Sequence, residues 1–405
     1  MDVEVSTTRD ERNILYFTCV AHAVTHVYML VFTAVLEPMS ASFGLAPHEF
    51  TAYASISTVL FGLGALPSGF LGDRVGEKAM LVGFFFLTAF GGVLVALAES
   101  RAALAVAMAV VGLGCSIFHP VGNAMISKGI RHPGKAMGIN GLWGSLGTAA
   151  GPIFAGQVAH VLDWRWAYLL LTIPTVAIGV WLLFCRLPPI VSGATGKIQH
   201  DTSPPAGADH KAVGASRVTM LALLLGAMTF GGLYFHVVTT MLPTYLGGQS
   251  GELFPSGLLA GAYLTGVVYA IGGSGQILGG QLVHHREGRG VYILFLGVAT
   301  PLMYLLSVTS ELTLLVTAGL MSIAMFAVQP VENLLLARYT PIHYRGLIFG
   351  AKFVLAFGVG GFGTYVSGVV REQYGLPAVF TAAAAMTGSA ALLACGAWLV
   401  TRRPN

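Results

Sequence analysis

Twelve times along 405 residues, a run of about twenty apolar side chains is bounded by charged or turn-forming residues, and about twenty is what an α-helix needs to cross a hydrocarbon core roughly 30 Å thick. In lipid a spanning segment must satisfy its own backbone N–H and C=O groups, so runs of this length point to helices. They fall at 13–36, 50–72, 79–98, 102–128, 136–161, 165–187, 218–246, 255–282, 291–309, 312–338, 346–369 and 377–400. Between the sixth and seventh, residues 188–217 are rich in Pro, Gly, Ala, Ser and Asp, the composition of a solvated linker. The expected fold is an all-α membrane protein with twelve transmembrane helices in two pseudo-symmetric six-helix halves. Residues 1–187 form the N-terminal half, 188–217 a cytoplasmic linker and 218–405 the C-terminal half.

Composition excludes the soluble classes. Apolar residues make up 55% of the chain and charged ones 9%, against about 25% charged in an ordinary soluble domain, and the mean hydropathy is +0.76. The net charge of +4 is scattered over loops, so no nucleic-acid partner is expected. Cys19, Cys115, Cys185 and Cys395 lie in apolar runs at unrelated spacings, which indicates neither a disulfide framework nor a metal cluster. Met1 to Arg12 is polar and mixed in charge, without the pattern of a cleaved signal peptide. No phosphate loop, catalytic triad or metal-binding cluster stands in the loops, so an enzyme is not expected.

Lys and Arg set the orientation. With the N-terminus inside, seventeen basic residues fall on the cytoplasmic side and three, Arg101, Arg165 and Arg371, on the other; the last of the 21, Lys352, lies within a run. Both termini are thus expected in the cytoplasm of a bacterial cell, with the body of the chain in the inner membrane. The halves also repeat. His119-Pro-Val-Gly-Asn123 is echoed by Gln329-Pro-Val-Glu-Asn333 at an offset of 210, which also carries His26 onto His236. At 211, Gly69 and Leu71 fall on Gly280 and Leu282, and at 212, Gly138, Gly151 and Gly156 fall on Gly350, Gly363 and Gly368. Two parallel halves related by an axis along the membrane normal are a known transporter plan, with the solute site between them near mid-membrane.

The loop after the second run, Gly69-Phe-Leu-Gly-Asp73-Arg74-Val-Gly76-Glu77-Lys78, resembles the signature G-x-x-x-D-R-x-G followed by two basic residues of the major facilitator superfamily, departing at Glu77. The resemblance implies that Gly69, Asp73, Arg74 and Gly76 form a conformational latch. Gly69 is expected to allow close helix approach, and Asp73 to sit at the start of the third helix, where the dipole favours an anion. In the fifth run, Gly138, Gly147, Gly151, Pro152 and Gly156 are similar to the family's antiporter signature, with Ala155 in place of one glycine. Small residues at this spacing permit tight packing, and Pro152 is expected to bend the helix. His22-Ala-Val-Thr-His26 together with Gly112, Gly114 and Phe118-His119-Pro120 resembles the fosmidomycin-resistance-like efflux subgroup. Where that subgroup carries an acid four residues after the first histidine, this chain has His26, and Met108 replaces an arginine common in drug/proton antiporters. Proton coupling must therefore use other groups.

Ionisable groups inside a membrane are functional hypotheses by default. Glu332 and Lys352 are the two charges well inside runs, each about six residues, or roughly 9 Å, from the cytoplasmic surface at 1.5 Å per residue. Equal depth on consecutive helices predicts an ion pair. Their first-half counterparts are Gly122 and Asn140. His22 and His26 share one helix face, and with His119 and His236 they lie on the first, fourth and seventh helices, which line the cavity in this superfamily. Asn123, Trp143, Gln329 and Asn333 complete the candidate substrate or coupling set, and His119 is expected to face Gln329 and Glu332 across the cavity. His-x-x-x-His can also ligate a metal, but no partner set of Cys and acid residues accompanies it and no metal is expected.

The function expected is secondary active transport by a monomer. It is proton-coupled export, as an antiporter, of a small organic compound, neutral or anionic, with the proton gradient as driving force and no cofactor. The alternatives are an importer of a small organic anion, and a non-transporting membrane scaffold or sensor.

Overall fold

The computed structural model describes residues 8–187, 214–249, 254, 256–340 and 345–400, with the side chains of 214–217, 284 and 345–347 left out. The linker through residue 213 and the side chains of Lys197, Lys211, Arg217, Arg345, Arg402 and Arg403 lie outside the described set. Every regular element within it is helical. The first half holds α1 (Arg9–Ala34), α2 (Leu36–Ser42), α3 (Pro47–Leu63), α4 (Ala65–Val75), α5 (Glu77–Leu97), α6 (Arg101–Ser116), α7 (Phe118–Gly129), α8 (Pro133–Val161) and α9 (Trp164–Phe184). The second holds α10 (Gly214–Gly248), α11 (Gly257–His285), α12 (Gly288–Val308), α13 (Glu311–Tyr339), α14 (Arg345–Phe353), a π-helical turn (Val354–Val359), α15 (Phe362–Tyr374) and α16 (Leu376–Val400).

Among the described residues ten helical segments are long and apolar enough to cross a membrane, with α6 and α7 counted together and α14 to α15 likewise, and the bent pair α3–α4 makes an eleventh. The remaining one, α8, has 29 residues and seven glycines, long enough to span at 1.5 Å per residue. Large apolar side chains such as Phe184, Leu392 and Leu312 point outward, as lipid-facing surfaces do. Polar caps start the helices. Thr8 and Glu11 form a reciprocal capping box on α1, and Ser100, Asp163 and Ser256 accept from the first turns of α6, α9 and α11.

Besides the run 346–369, which the π turn interrupts, two runs read as continuous helices are broken. The chain bends by 44° between α3 and α4, and α6 ends at Ser116 before α7 starts at Phe118. In both cases a proline, Pro67 or Pro120, is the third residue of the later helix. It has no N–H to offer the carbonyl four residues back, and flanking glycines and serines yield readily. The breaks pack on each other, with Ser68 Oγ 3.4 Å from Ser116 Oγ. Proline alone is not sufficient: α8 runs on through Pro152 and α13 through Pro330. The proline repeat therefore marks a break in the first half and none in the second.

Two of the repeated glycines, Gly151 and Gly363, each pack against the first long helix of their own half. A Cβ on Gly151 of α8 would lie 3.3 Å from Val27 Cα of α1, and on its counterpart Gly363 it would lie 3.2 Å from His236 Cβ of α10. Tight helix approach at small residues is the main source of packing energy where lipid removes the hydrophobic drive between helices. At the end of the molecule far from residues 9 and 400, α3 packs on the π turn and α15. Thr58 Oγ1 donates to the Gly361 carbonyl at 3.0 Å, and beyond it lie the pairs Glu37–Arg371 at 2.6 Å and His48–Glu372 at 3.0 Å.

Candidate functional site

Two polar clusters lie side by side in the interior, one in each half. In the second, Glu332 on α13 and Lys352 on α14 are each 5% exposed and their Oε2 and Nζ are 3.0 Å apart. Lys352 also donates to Asn333 Oδ1 at 2.7 Å, and Tyr292 of α12 donates its hydroxyl to Glu332 Oε1 at 2.9 Å. The expected ion pair thus forms, and a partner that spacing did not indicate, Tyr292, saturates the other carboxylate oxygen. A buried pair persists only when its remaining hydrogen-bond positions are filled in this way. Asn333 itself is exposed, and Gln329 is half-buried.

In the first half, His22 Nδ1 lies 2.8 Å from both the peptide oxygen and Oδ1 of Asn140 on α8. Its Nε2 is 3.2 Å from His26 Nε2. His119, from α7, completes a triangle, its ring 5.1 Å from that of His22 and 5.8 Å from that of His26. Its Nε2 is buried with no hydrogen-bond partner. The surrounding walls are aromatic: Phe118 lies 4.9 Å from His22, and Phe61, Phe353 and Phe357 lie 5.6, 5.3 and 6.0 Å from His119. His119 therefore faces the other two histidines and this phenylalanine wall, rather than Gln329 and Glu332. The π turn carries Phe357 to this position, and such turns recur at functional sites.

His236 is apart from the trio. It is buried, its Nε2 has no partner, and with His26, Thr58, Phe61, Thr240 and Phe357 it lines a cavity of ≈ 20 Å³ between the halves, room for about one water. Asn123 is half-buried, and Trp143 is 39% exposed.

The glycines of α8 divide. Gly147 meets the backbone of Ala23, Gly151 meets Val27 and Gly156 meets Ala262 across the halves, whereas Gly138 has nothing within 4 Å. Gly144, not singled out from the sequence, makes room for the His22 ring: a Cβ there would lie 2.5 Å from its Nε2. At the latch loop, Gly69 approaches Pro120, with a Cβ 3.3 Å from Pro120 Cβ. Gly76 turns the chain at φ 96°, where glycine carries no penalty. Arg74 lies over Phe70 at 4.0 Å. Asp73 stands in the last turn of α4 and not at the start of α5; the residue there is Glu77. Glu77 is buried, and Lys128 at the end of α7 bridges it at 3.1 Å and Asp73 at 3.3 Å. The departure from the signature is thus the residue that anchors this loop to α7.

Helical spans in two related halves, meeting around a closed aromatic and polar centre, are the plan of a membrane carrier. The sequence profile of the Major Facilitator Superfamily matches residues 17–362, and the chain belongs to that superfamily. The superfamily is one of multi-pass membrane transporters and not of enzymes. Among similar proteins, the inner membrane transport protein YnfM of Escherichia coli (strain K12) is 29% identical over 158 residues, 38% of this chain and 37% of that protein. The multidrug resistance protein B homolog of Mycobacterium tuberculosis (strain CDC 1551 / Oshkosh) is 27% identical over 152 residues, 37% of this chain and 28% of that one. The match thus spans about a third of these relatives' length. In fold, the chain is similar to a bacterial homolog of the human lysosomal transporter Spinster. The inward-facing, occupied form gives a TM-score of 0.77 at 16% identity, covering 99% of this chain and 100% of that one. The unoccupied form gives 0.69 at 16% identity, covering 98% and 96%.

Proposed function

We propose that this carrier exports a small organic compound in exchange for protons by alternating access, as a monomer in a bacterial inner membrane with both termini cytoplasmic. The observation that carries the reading is the buried pair Glu332–Lys352. Charges are costly to hold within a membrane even when paired, and ionisable groups placed there mark ion and proton pathways. Protonation of Glu332 frees Lys352 to rearrange, and loss of that proton on the other side restores the pair. The lopsided Lys and Arg distribution supports the orientation. With the termini inside, the end locked by Glu37–Arg371 and Thr58–Gly361 is periplasmic, in keeping with the likeness to inward-facing structures. The similarity to a multidrug resistance homolog supports export.

Reconstitution into liposomes with an imposed pH gradient tests this. Solutes from an organic panel are expected to evoke proton flux with the wild type and none with Glu332→Gln or Lys352→Ala, each checked for a folded, monodisperse state. Undiminished gradient-driven transport in both variants overturns the coupling role, and absence of flux or uptake for any solute favours a non-transporting scaffold. A second reading, import of an organic anion, is favoured by one fact: Lys352 Nζ has two partners and three donors, leaving one for a solute. Uptake of radiolabelled anion against its gradient selects it.

A further inference from the structure

We propose that His22, His26 and His119 form a binding site for a divalent transition-metal ion, Zn²⁺ or a near neighbour, with one coordination position left open. The site is independent of the proton-coupling reading above.

One ring nitrogen from each residue lies within 4.8 Å of the others. A tetrahedral Zn²⁺ at 2.0–2.1 Å from imidazole nitrogens sets them about 3.3 Å apart. The His22–His26 pair already stands at 3.2 Å, so assembly asks for a movement of about 1.5 Å by the His119 ring.

The tautomer of His22 favours the same use. A peptide oxygen can only accept, so the contact to the Asn140 carbonyl at 2.8 Å puts the proton on Nδ1 and leaves the lone pair on Nε2, where it accepts from His26 Nε2–H at 3.2 Å until an ion takes the place of that proton. A ligating histidine usually donates its second ring N–H in this way to a carbonyl or carboxylate, which orients the ring and raises its basicity. Gly144 gives the ring its space, since a Cβ there would collide with Cε1 and Nε2 at 2.5 Å. His119 Nε2 has no protein partner although buried, so it is free to bind.

The donor set names the class of ion. Three imidazoles with no carboxylate among them suit Zn²⁺, Co²⁺, Ni²⁺ or Cu²⁺ and not Mg²⁺ or Ca²⁺. A three-histidine set keeps the fourth position for water or an anion, and the phenylalanines around the rings keep the site dry. Lys352, the nearby cation, is offset by Glu332 at 3.0 Å.

The test uses the purified full-length protein stripped with chelator. After loading with Zn²⁺ and desalting, elemental analysis is expected to show one more zinc per chain in the wild type than in the triple variant His22→Asn/His26→Gln/His119→Gln, which keeps every other histidine. Co²⁺ is expected to give a visible absorption band of a tetrahedral site, lost in His119→Gln and in His26→Gln, two single variants that serve if the triple one does not fold. Asn140→Ala keeps all three imidazoles and the peptide oxygen that accepts from His22 Nδ1, and is expected to weaken Zn²⁺ binding by about 10-fold, the low end for loss of a ligand's outer hydrogen-bond partner. Equal zinc content in wild type and variants, or a Co²⁺ band that survives both single substitutions, overturns the proposal and leaves the trio as a hydrogen-bonded packing motif or proton relay.

Discussion

Asn140 and Lys352 stand at corresponding places, 212 residues apart, on the fifth span of each half, and they reach in different directions. Asn140 turns toward the first span of its half and holds His22. Lys352 turns toward the fourth span of its own half and pairs with Glu332 and Asn333. Around Asn140 the chemistry is imidazole under aromatic cover. Around Lys352 it is a charge pair whose last carboxylate oxygen is capped by Tyr292. The duplicated scaffold supplies equivalent positions, and side-chain choice makes one side a set of lone pairs and the other an electrostatic element.

The sharpest way to break that contrast is to unbalance the pair. Lys352→Met leaves Glu332 buried against Tyr292 alone and is expected to cost about 3–5 kcal/mol, while Glu332→Gln with Lys352→Met recovers most of it; thermal unfolding in detergent reads both. Less severe is crowding α8 against α1. Gly147→Ala drives a methyl into the Ala23 backbone and is expected to cost about 1–3 kcal/mol, whereas Gly138→Ala, with open space around it, stays within about 0.5 kcal/mol. On the histidine side, Asn140→Ala removes one of the two contacts to His22 Nδ1 while the peptide oxygen remains, for about 0.5–1.5 kcal/mol. The loss should come without the large penalty of the charged side. Smallest is Glu77→Gln at the latch. Its partner Lys128 is 37% exposed, so the expected cost is below about 1 kcal/mol and shrinks further with added salt.

Much of the architecture is legible without coordinates, because span length and the period of glycines are imposed by the bilayer and by close packing. The ion pair follows from two charges at equal depth on neighbouring helices. The breaks in the second and fourth spans, read as continuous, fall at Pro67 and Pro120, while Pro152 and Pro330 do not break theirs. A missing N–H is a permission that local glycines and neighbouring helices take up or decline. The histidine triangle is only half readable. His22 and His26 declare themselves by spacing, while His119 joins from 93 residues beyond His26, a distance that only helix packing closes. Tyr292 and Gly144 carry no signal of their own, since each matters through one partner on another helix. Trp143, three residues from Asn140 on a helix of 3.6 residues per turn, is 39% exposed.

The small cavity between Phe61, Phe357 and the two histidines has a bearing on how tightly any solute holds. Pockets for drug-sized molecules run to about 300–1,000 Å³, and ≈ 20 Å³ is far below that. Any such solute has to be admitted by a form in which Phe61 and Phe357, now 5.1 Å apart, have separated. Its apparent affinity is then its intrinsic affinity scaled by the population of that form. Trimming either ring is therefore expected to tighten binding of an organic solute without adding a single contact to it.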